Sequence, residues 1–99
     1  MNMVINSVHF KADQRLETFI KEKLNKLPSI YDGVIGAEVK LKVDNNDTPR
    51  NKIAEIRLMI KGNDLFVVKE AKTFEEATSK AADVLRRQLR KHKEKLRSK

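Results

Sequence analysis

An α+β fold in the order β-α-β-β-β-α is what this sequence predicts: a two-layer sandwich with both helices on one face of a four-stranded sheet. Three observations predict it. Two segments, residues 37–43 and 54–61, alternate apolar and polar side chains with the period of a half-buried strand. Two others carry apolar residues at helical spacing directly behind a capping residue. The whole chain has 99 residues, room for one domain (residues 1–99) with one modest core.

The first element, residues 3–10, is short, apolar-rich and β-branched at Val4, Ile5 and Val8, which favours a strand. Asp13 then offers a helix cap, and Leu16, Phe19, Ile20, Leu24 and Leu27 recur on one helical face, so a helix is predicted over residues 14–27. Pro28 is expected to stop it, because the residue before a proline is pushed out of the α region. Residues 29–36 form a connection carrying Tyr31 and two glycines.

Ala37, Val39, Leu41 and Val43 alternate with Glu38, Lys40 and Lys42, and after a polar segment at 44–50, expected to be a mobile loop, the alternation repeats. In that second strand Ala54, Ile56, Leu58 and Ile60 face inward, and Glu55, Arg57, Met59 and Lys61 outward. Gly62-Asn63-Asp64 is read as a tight hairpin, returning into a strand over 65–72 whose apolar stretch is Leu65, Phe66, Val67 and Val68. Thr73-Phe74-Glu75-Glu76 has the form of a capping box. Behind it no glycine or proline interrupts the chain, and Phe74, Ala77, Ala81, Leu85, Leu89 and Leu96 form one stripe, with Thr78, Gln88 and His92 on the same face. That is one helix of roughly 24 residues, about 36 Å long, too long for the small domain to cover completely. The first two strands, joined through a helix, should run parallel.

Charge is concentrated where the chain closes. The net charge is +8, and residues 80–99 hold +7 of it, nine bases against Asp83 and Glu94. Arg86, Arg90, Lys93 and Arg97 fall on one helical arc and Arg87, Lys91 and Lys95 on the neighbouring one. A mixed-sign face would keep the protein soluble equally well. A same-sign run at a helix end, in a chain otherwise near neutrality, points instead to a polyanion. A membrane is the weaker rival, since the dry face carries alanines early on and is needed by the sheet. No segment has the length or apolarity of a membrane span or signal peptide, and a cytoplasmic protein is the default.

Chemistry-bearing motifs are scarce. Cysteine is absent, which excludes disulfides, thiolate metal sites and cysteine nucleophiles. His9 and His92 lack metal-ligand spacing, no carboxylate pair or nucleophile elbow stands out, and no glycine-rich phosphate loop occurs. Nothing calls for a cofactor, a small-molecule substrate or catalysis. His92, between Leu89 and Leu96, is either a packed ring at the sheet edge or a base or phosphate contact at its rim. Most of the aromatics are assigned to the core, with Tyr31 the one candidate for stacking on a base. Lys23 and Lys26 either flank the basic surface or balance Glu17 and Glu22.

The run from Leu85 to Leu96, with Arg87-Gln88-Leu89 followed by Lys91-His92-Lys93, resembles the closing helix of the ribosome hibernation-promoting factor family. That family includes the ribosome-associated translation inhibitor and was once labelled sigma-54 modulation protein. The resemblance covers essentially the full chain and implies a fold like a double-stranded RNA-binding domain with an added strand. It also implies binding to the small subunit of the 70S ribosome, in the decoding channel, blocking messenger and transfer RNA in stressed or stationary cells; off the ribosome a monomer is expected. Carried over, Arg87, Lys91, Lys93 and Lys95 become rRNA contacts, with Lys23 and Lys26 secondary; Arg86, Arg90 and His92 join them on charge and position. The chain departs from the family at Thr73-Phe74-Glu75, where an aspartate, a hydrophobic residue and a tyrosine are usual; threonine can still cap, but nothing replaces what the tyrosine would touch. A general RNA-binding or RNA-chaperone module, and a regulator acting through protein partners, are the alternatives.

Overall fold

The computed structural model describes residues 1–44 and 49–97, the last two of these, Leu96 and Arg97, without their side chains. Most of the loop expected at 44–50, the apolar role of Leu96, the basic role of Arg97 and the charge of Lys99 therefore lie outside the described residues. The elements are β1 (Asn2–Ser7), α1 (Gln14–Leu24), a single 3-10 turn (Leu27–Ser29), β2 (Val34–Val43), β3 (Lys52–Ile60), β4 (Asn63–Ala71) and α2 (Phe74–Arg97). The sheet order is β1-β2-β3-β4, with β1 and β2 parallel and the other pairs antiparallel. The expected two-layer α+β architecture is the observed one.

Alternation fixes the sheet's dry face. Ala37 pairs with Leu58, Val39 with Ile56 and Leu41 with Ala54, and all six side chains are buried. Leu16, Ile20 and Leu24 of α1, and Ala77, Ala81, Leu85 and Leu89 of α2, complete one cluster with them. Each fully buried leucine contributes on the order of 1.5–3 kcal/mol. Both helix starts are capped as their sequences require. The Asp13 Oδ1 accepts from the Leu16 N–H at 2.8 Å, and the Thr73 hydroxyl oxygen accepts from the Glu76 N–H at 3.0 Å. Threonine thus does the capping work of aspartate, and the next residue, Phe74, stacks on Phe10 with ring centroids 5.0 Å apart.

Several boundaries and one side-chain placement differ from the sequence reading. β1 stops at Ser7 because His9 adopts a positive φ of 64°, which ends the parallel pairing after the Val8 N–H donates to the Leu41 carbonyl. α1 ends at Leu24, one turn early. Pro28 has no N–H to offer the Leu24 carbonyl, so the chain tightens into the 3-10 turn in which Pro28 itself sits. The hairpin loop is Lys61-Gly62, since Ile60 pairs with Asn63, and Gly62 takes the positive φ of 88°. Phe66, assigned to the core, is 59% exposed: it lies one residue out of phase with buried Val67, so the pleat turns it to the far side of the sheet.

That far side is open and nearly neutral. Val4, Phe66 and Val68 share it with two ion pairs, Lys42–Glu55 at 3.5 Å and Arg57–Asp64 at 2.7 Å. The hydrogen bond from Arg57 to Asp64, then the charges of Asp64 and Glu38, hold the guanidinium above its ordinary pKa. Gly36 is placed where β1 meets β2: a Cβ there would lie 2.7 Å from the Asn2 carbonyl oxygen and 3.1 Å from Met59 Cε. Gly36→Ala must therefore push the parallel pair apart. The expected loss is about 1–3 kcal/mol, read as a lower urea midpoint at unchanged m value.

Candidate nucleic-acid interface

The basic end is built on a rigid, docked helix. Leu85 and Leu89 hold α2 against the sheet, and Leu89 is its last fully buried residue among those described. At 100° per residue the inward stripe of Leu85, Leu89 and His92 leaves cations on both flanks and along the outer ridge. Among the described residues no carboxylate lies within ion-pairing distance of Arg90, Lys91 or Lys93. The ion pairs that α2 makes within itself lie further back, at Glu76 and Asp83. Glu76 sits 3.5 Å from Lys80, Asp83 lies 3.7 Å from Arg86, and the Arg87 Nε–H donates to the Asp83 carbonyl at 3.4 Å. Those exposed contacts are weak and leave the charges available to a partner.

Two shallow clefts flank the ridge. One, about 290 Å³, lies between the 3-10 turn and α2 and is lined by Ser29, Ile30, Arg90, Lys93 and Glu94. Lys26 stands at the entry to that turn: its carbonyl accepts from the Ser29 hydroxyl at 2.6 Å and from the Ser29 N–H at 3.3 Å. The early end of α1 thus brings the neighbourhood of Lys26 to Arg90 and Lys93. Lys23, by contrast, lies over the Phe19 ring at 5.6 Å, a cation–π contact within its own helix. The second cleft, about 280 Å³, lies between the start of β4 and α2, where Gln88, Lys91, His92 and Lys95 meet Asn63 and Leu65.

The predicted cations therefore divide. Arg90 and Lys93 face the 3-10 turn, Lys91 and Lys95 face the hairpin, and exposed Arg87 rides the ridge between them. Arg86 is half-buried beside Asp83. His92 meets the Tyr31 ring edge-on, centroids 5.1 Å apart at 72°, so Tyr31 is a support for His92 and is only partly exposed. Tyr31 in turn occupies the space beside Gly33, where a Cβ would come within 2.5 Å of its ring. Sequence reasoning missed Ser29 and Gln88 as lining residues. Gln88 stands four residues before His92 on the inward face, a spacing that carries the signal. Among the described residues no helix is long and apolar enough to cross a membrane.

The family model described as sigma 54 modulation protein / S30EA ribosomal protein matches residues 3–97. The chain is 32% identical to the ribosome hibernation promoting factor of Pseudomonas putida, over 99% of this chain and 92% of that protein. It is 33% identical to the ribosome hibernation promotion factor of Deinococcus radiodurans, over 84% of this chain and 44% of that protein. Among solved structures, the Thermus thermophilus Protein Y N-terminal domain superimposes with a TM-score of 0.78 at 23% identity, covering 93% of this chain and 99% of that one. A ribosomal subunit interface protein from Coxiella burnetii gives a TM-score of 0.82 at 15% identity, over 94% and 98% of the two chains. Both likenesses are of fold.

Proposed function

Because the chain belongs to the sigma 54 modulation protein / S30EA ribosomal protein family, we propose that it is a ribosome hibernation factor. It acts in the cytoplasm without catalysis, as a monomer that enters the decoding channel of the small ribosomal subunit and closes the path of messenger and transfer RNA. Arg87, Arg90, Lys91, Lys93 and Lys95 supply the rRNA contacts, with Arg86 and His92 beside them and Lys26 at the neighbouring turn; Lys23 is the most peripheral. The observation that carries this reading is the row Arg90, Lys91, Lys93: cations without carboxylate partners among the described residues, on a helix anchored by buried leucines. Phosphate contacts of this kind set position and register and carry little sequence information.

Translation of a reporter in a cell-free system, alongside gradient profiles, tests it. Added protein is expected to lower reporter output and to migrate with small subunits and 70S ribosomes, excess duplex RNA notwithstanding. With about six phosphate contacts, raising salt from 50 to 200 mM should weaken co-sedimentation about a thousandfold. Undiminished translation at saturating protein, or complete displacement by duplex RNA, would reject the assignment.

A further inference from the structure

Three buried side-chain polar atoms have no hydrogen-bond partner among the described residues, and two of them, all but Thr78 Oγ1, belong to one cleft. These two are Gln88 Oε1 and His92 Nε2. They belong to side chains one helical turn apart, and both side chains line the cleft between α2 and the start of β4. A buried polar group left without a partner destabilises the fold, so a pair of them on one cleft is a standing penalty that a ligand can remove. The Tyr31 ring, edge-on at 5.1 Å, backs the imidazole, and Lys91 and Lys95 stand on the same cleft.

We propose that this cleft receives the hydrogen-bonding edge of one unpaired nucleobase, while the neighbouring lysines meet the flanking phosphates. The proposal rests on the RNA-binding reading above and adds to it a base-recognition site with Gln88 as a further binding residue. Its volume, about 280 Å³, lies at the lower edge of ligand-sized pockets, roughly 300 Å³ and upward, and suits a single planar base. The amide oxygen of Gln88 requires a donor, and its amide nitrogen offers one. The Watson–Crick edge of a base sets a donor beside an acceptor, amine and ring nitrogen in adenine and cytosine, ring N–H and carbonyl in uracil and guanine, and so satisfies both at once. His92 Nε2 adds a second donor or acceptor according to its tautomer. Small rotations of the two side chains on engagement are ordinary for an interface. Unpaired bases are what RNA-reading proteins recognise by their edges, since the paired edges of A-form helices are largely closed to them.

The test uses labelled RNA nonamers bound to the full chain at low salt and followed by anisotropy. One is an otherwise abasic nonamer with a single central adenosine; its counterpart is abasic at every position. Wild-type protein is expected to prefer the adenosine oligomer about tenfold, the lower part of the range for one bidentate base contact. Gln88→Leu combined with His92→Phe should erase that ratio while leaving the salt dependence unchanged. Its unfolding midpoint should match or exceed the wild-type value, since two orphaned polar groups are replaced by apolar ones. Equal wild-type affinity for the two oligomers overturns the proposal whatever the variant does, as does a folded variant that keeps the preference. Gln88→Glu, which retains the acceptor and loses the donor, should also lose preference if the double variant fails to fold. Co-sedimentation of the wild type with ribosomes, run in parallel, separates the two readings: its presence with a ratio near one removes the base site alone, and its absence removes the ribosomal assignment.

Discussion

Reversing Arg87, Lys91 and Lys93 to glutamate is expected to lower affinity for ribosomes about a thousandfold near 0.1 M salt, and so to abolish co-sedimentation. Each phosphate contact contributes a counterion-release slope of about 0.9, which near 0.1 M amounts to roughly tenfold per contact relative to 1 M. Removing three such cations multiplies to the thousandfold, and three new negative charges facing phosphate add to it. The slope of affinity against salt should itself fall by about three units. Lys91 and Lys93 stand on opposite flanks of α2, with Arg87 on the ridge, so the triple change removes charge all round the rod. Acids near a helix C-terminus oppose the macrodipole by about 0.3–1 kcal/mol each, so helicity must be followed in the same samples. The decisive control is an equal charge change elsewhere. Lys11, Lys40 and Lys72 are exposed and lie away from this helix end. Reversing those three should cost far less; an equal loss would mean that binding follows net charge and not the helix.

The sheet was legible because a two-residue period has only one way to bury a face. Residues 37–43 and 54–60 alternate with the single exception of outward Met59, and their observed pairing, Val39 with Ile56, is the register that puts Ala37, Val39, Leu41, Ala54, Ile56 and Leu58 together on the helix side. The long helix was legible from Thr73 onward, because a cap, a stripe and an uninterrupted run agree on one answer. Phe66 was not, because a continuous apolar run hides its own phase: Leu65 and Val67 go in and Phe66 and Val68 go out only once Arg57 pairs with Phe66 across β3 and β4. The end of α1 was misplaced for a local reason. Pro28 acts on the carbonyl four residues earlier as well as on the residue before it, and the first effect ends the α ladder sooner.

The candidate interface divides the same way. Its charge was visible in composition, since +7 of +8 on twenty residues needs no coordinates. Its shape was not. The meeting of Tyr31 with His92 joins positions 61 residues apart, and the two clefts depend on where the 3-10 turn and the hairpin stand beside α2. Side-chain type located the cations on the helix; tertiary packing alone decided which neighbour each of them shares.

Leu89→Ala is the change that should most weaken the coupling between fold and interface. Leu89 is fully buried, and among the described residues of α2 none beyond it is. Truncating a buried leucine costs about 2–5 kcal/mol, a large part of the roughly 5–15 kcal/mol that stabilises a domain, so the protein should remain folded with a clearly lower urea midpoint. The loss falls where the basic turns leave the sheet. Amide exchange over residues 90–95 should accelerate more than in β2 and β3, because undocking this end requires no global unfolding. Ribosome affinity should fall by about tenfold although no charge has changed, since cations on a frayed end must be ordered again on binding. Leu16→Ala on α1 provides the comparison: that side chain is also buried, in the same core, but does not dock α2 at its basic end. It should lower the midpoint comparably and leave affinity near the wild-type value. If the two variants lose affinity in proportion to their lost stability, the docked rod has no special part in binding, and charge alone accounts for the interface.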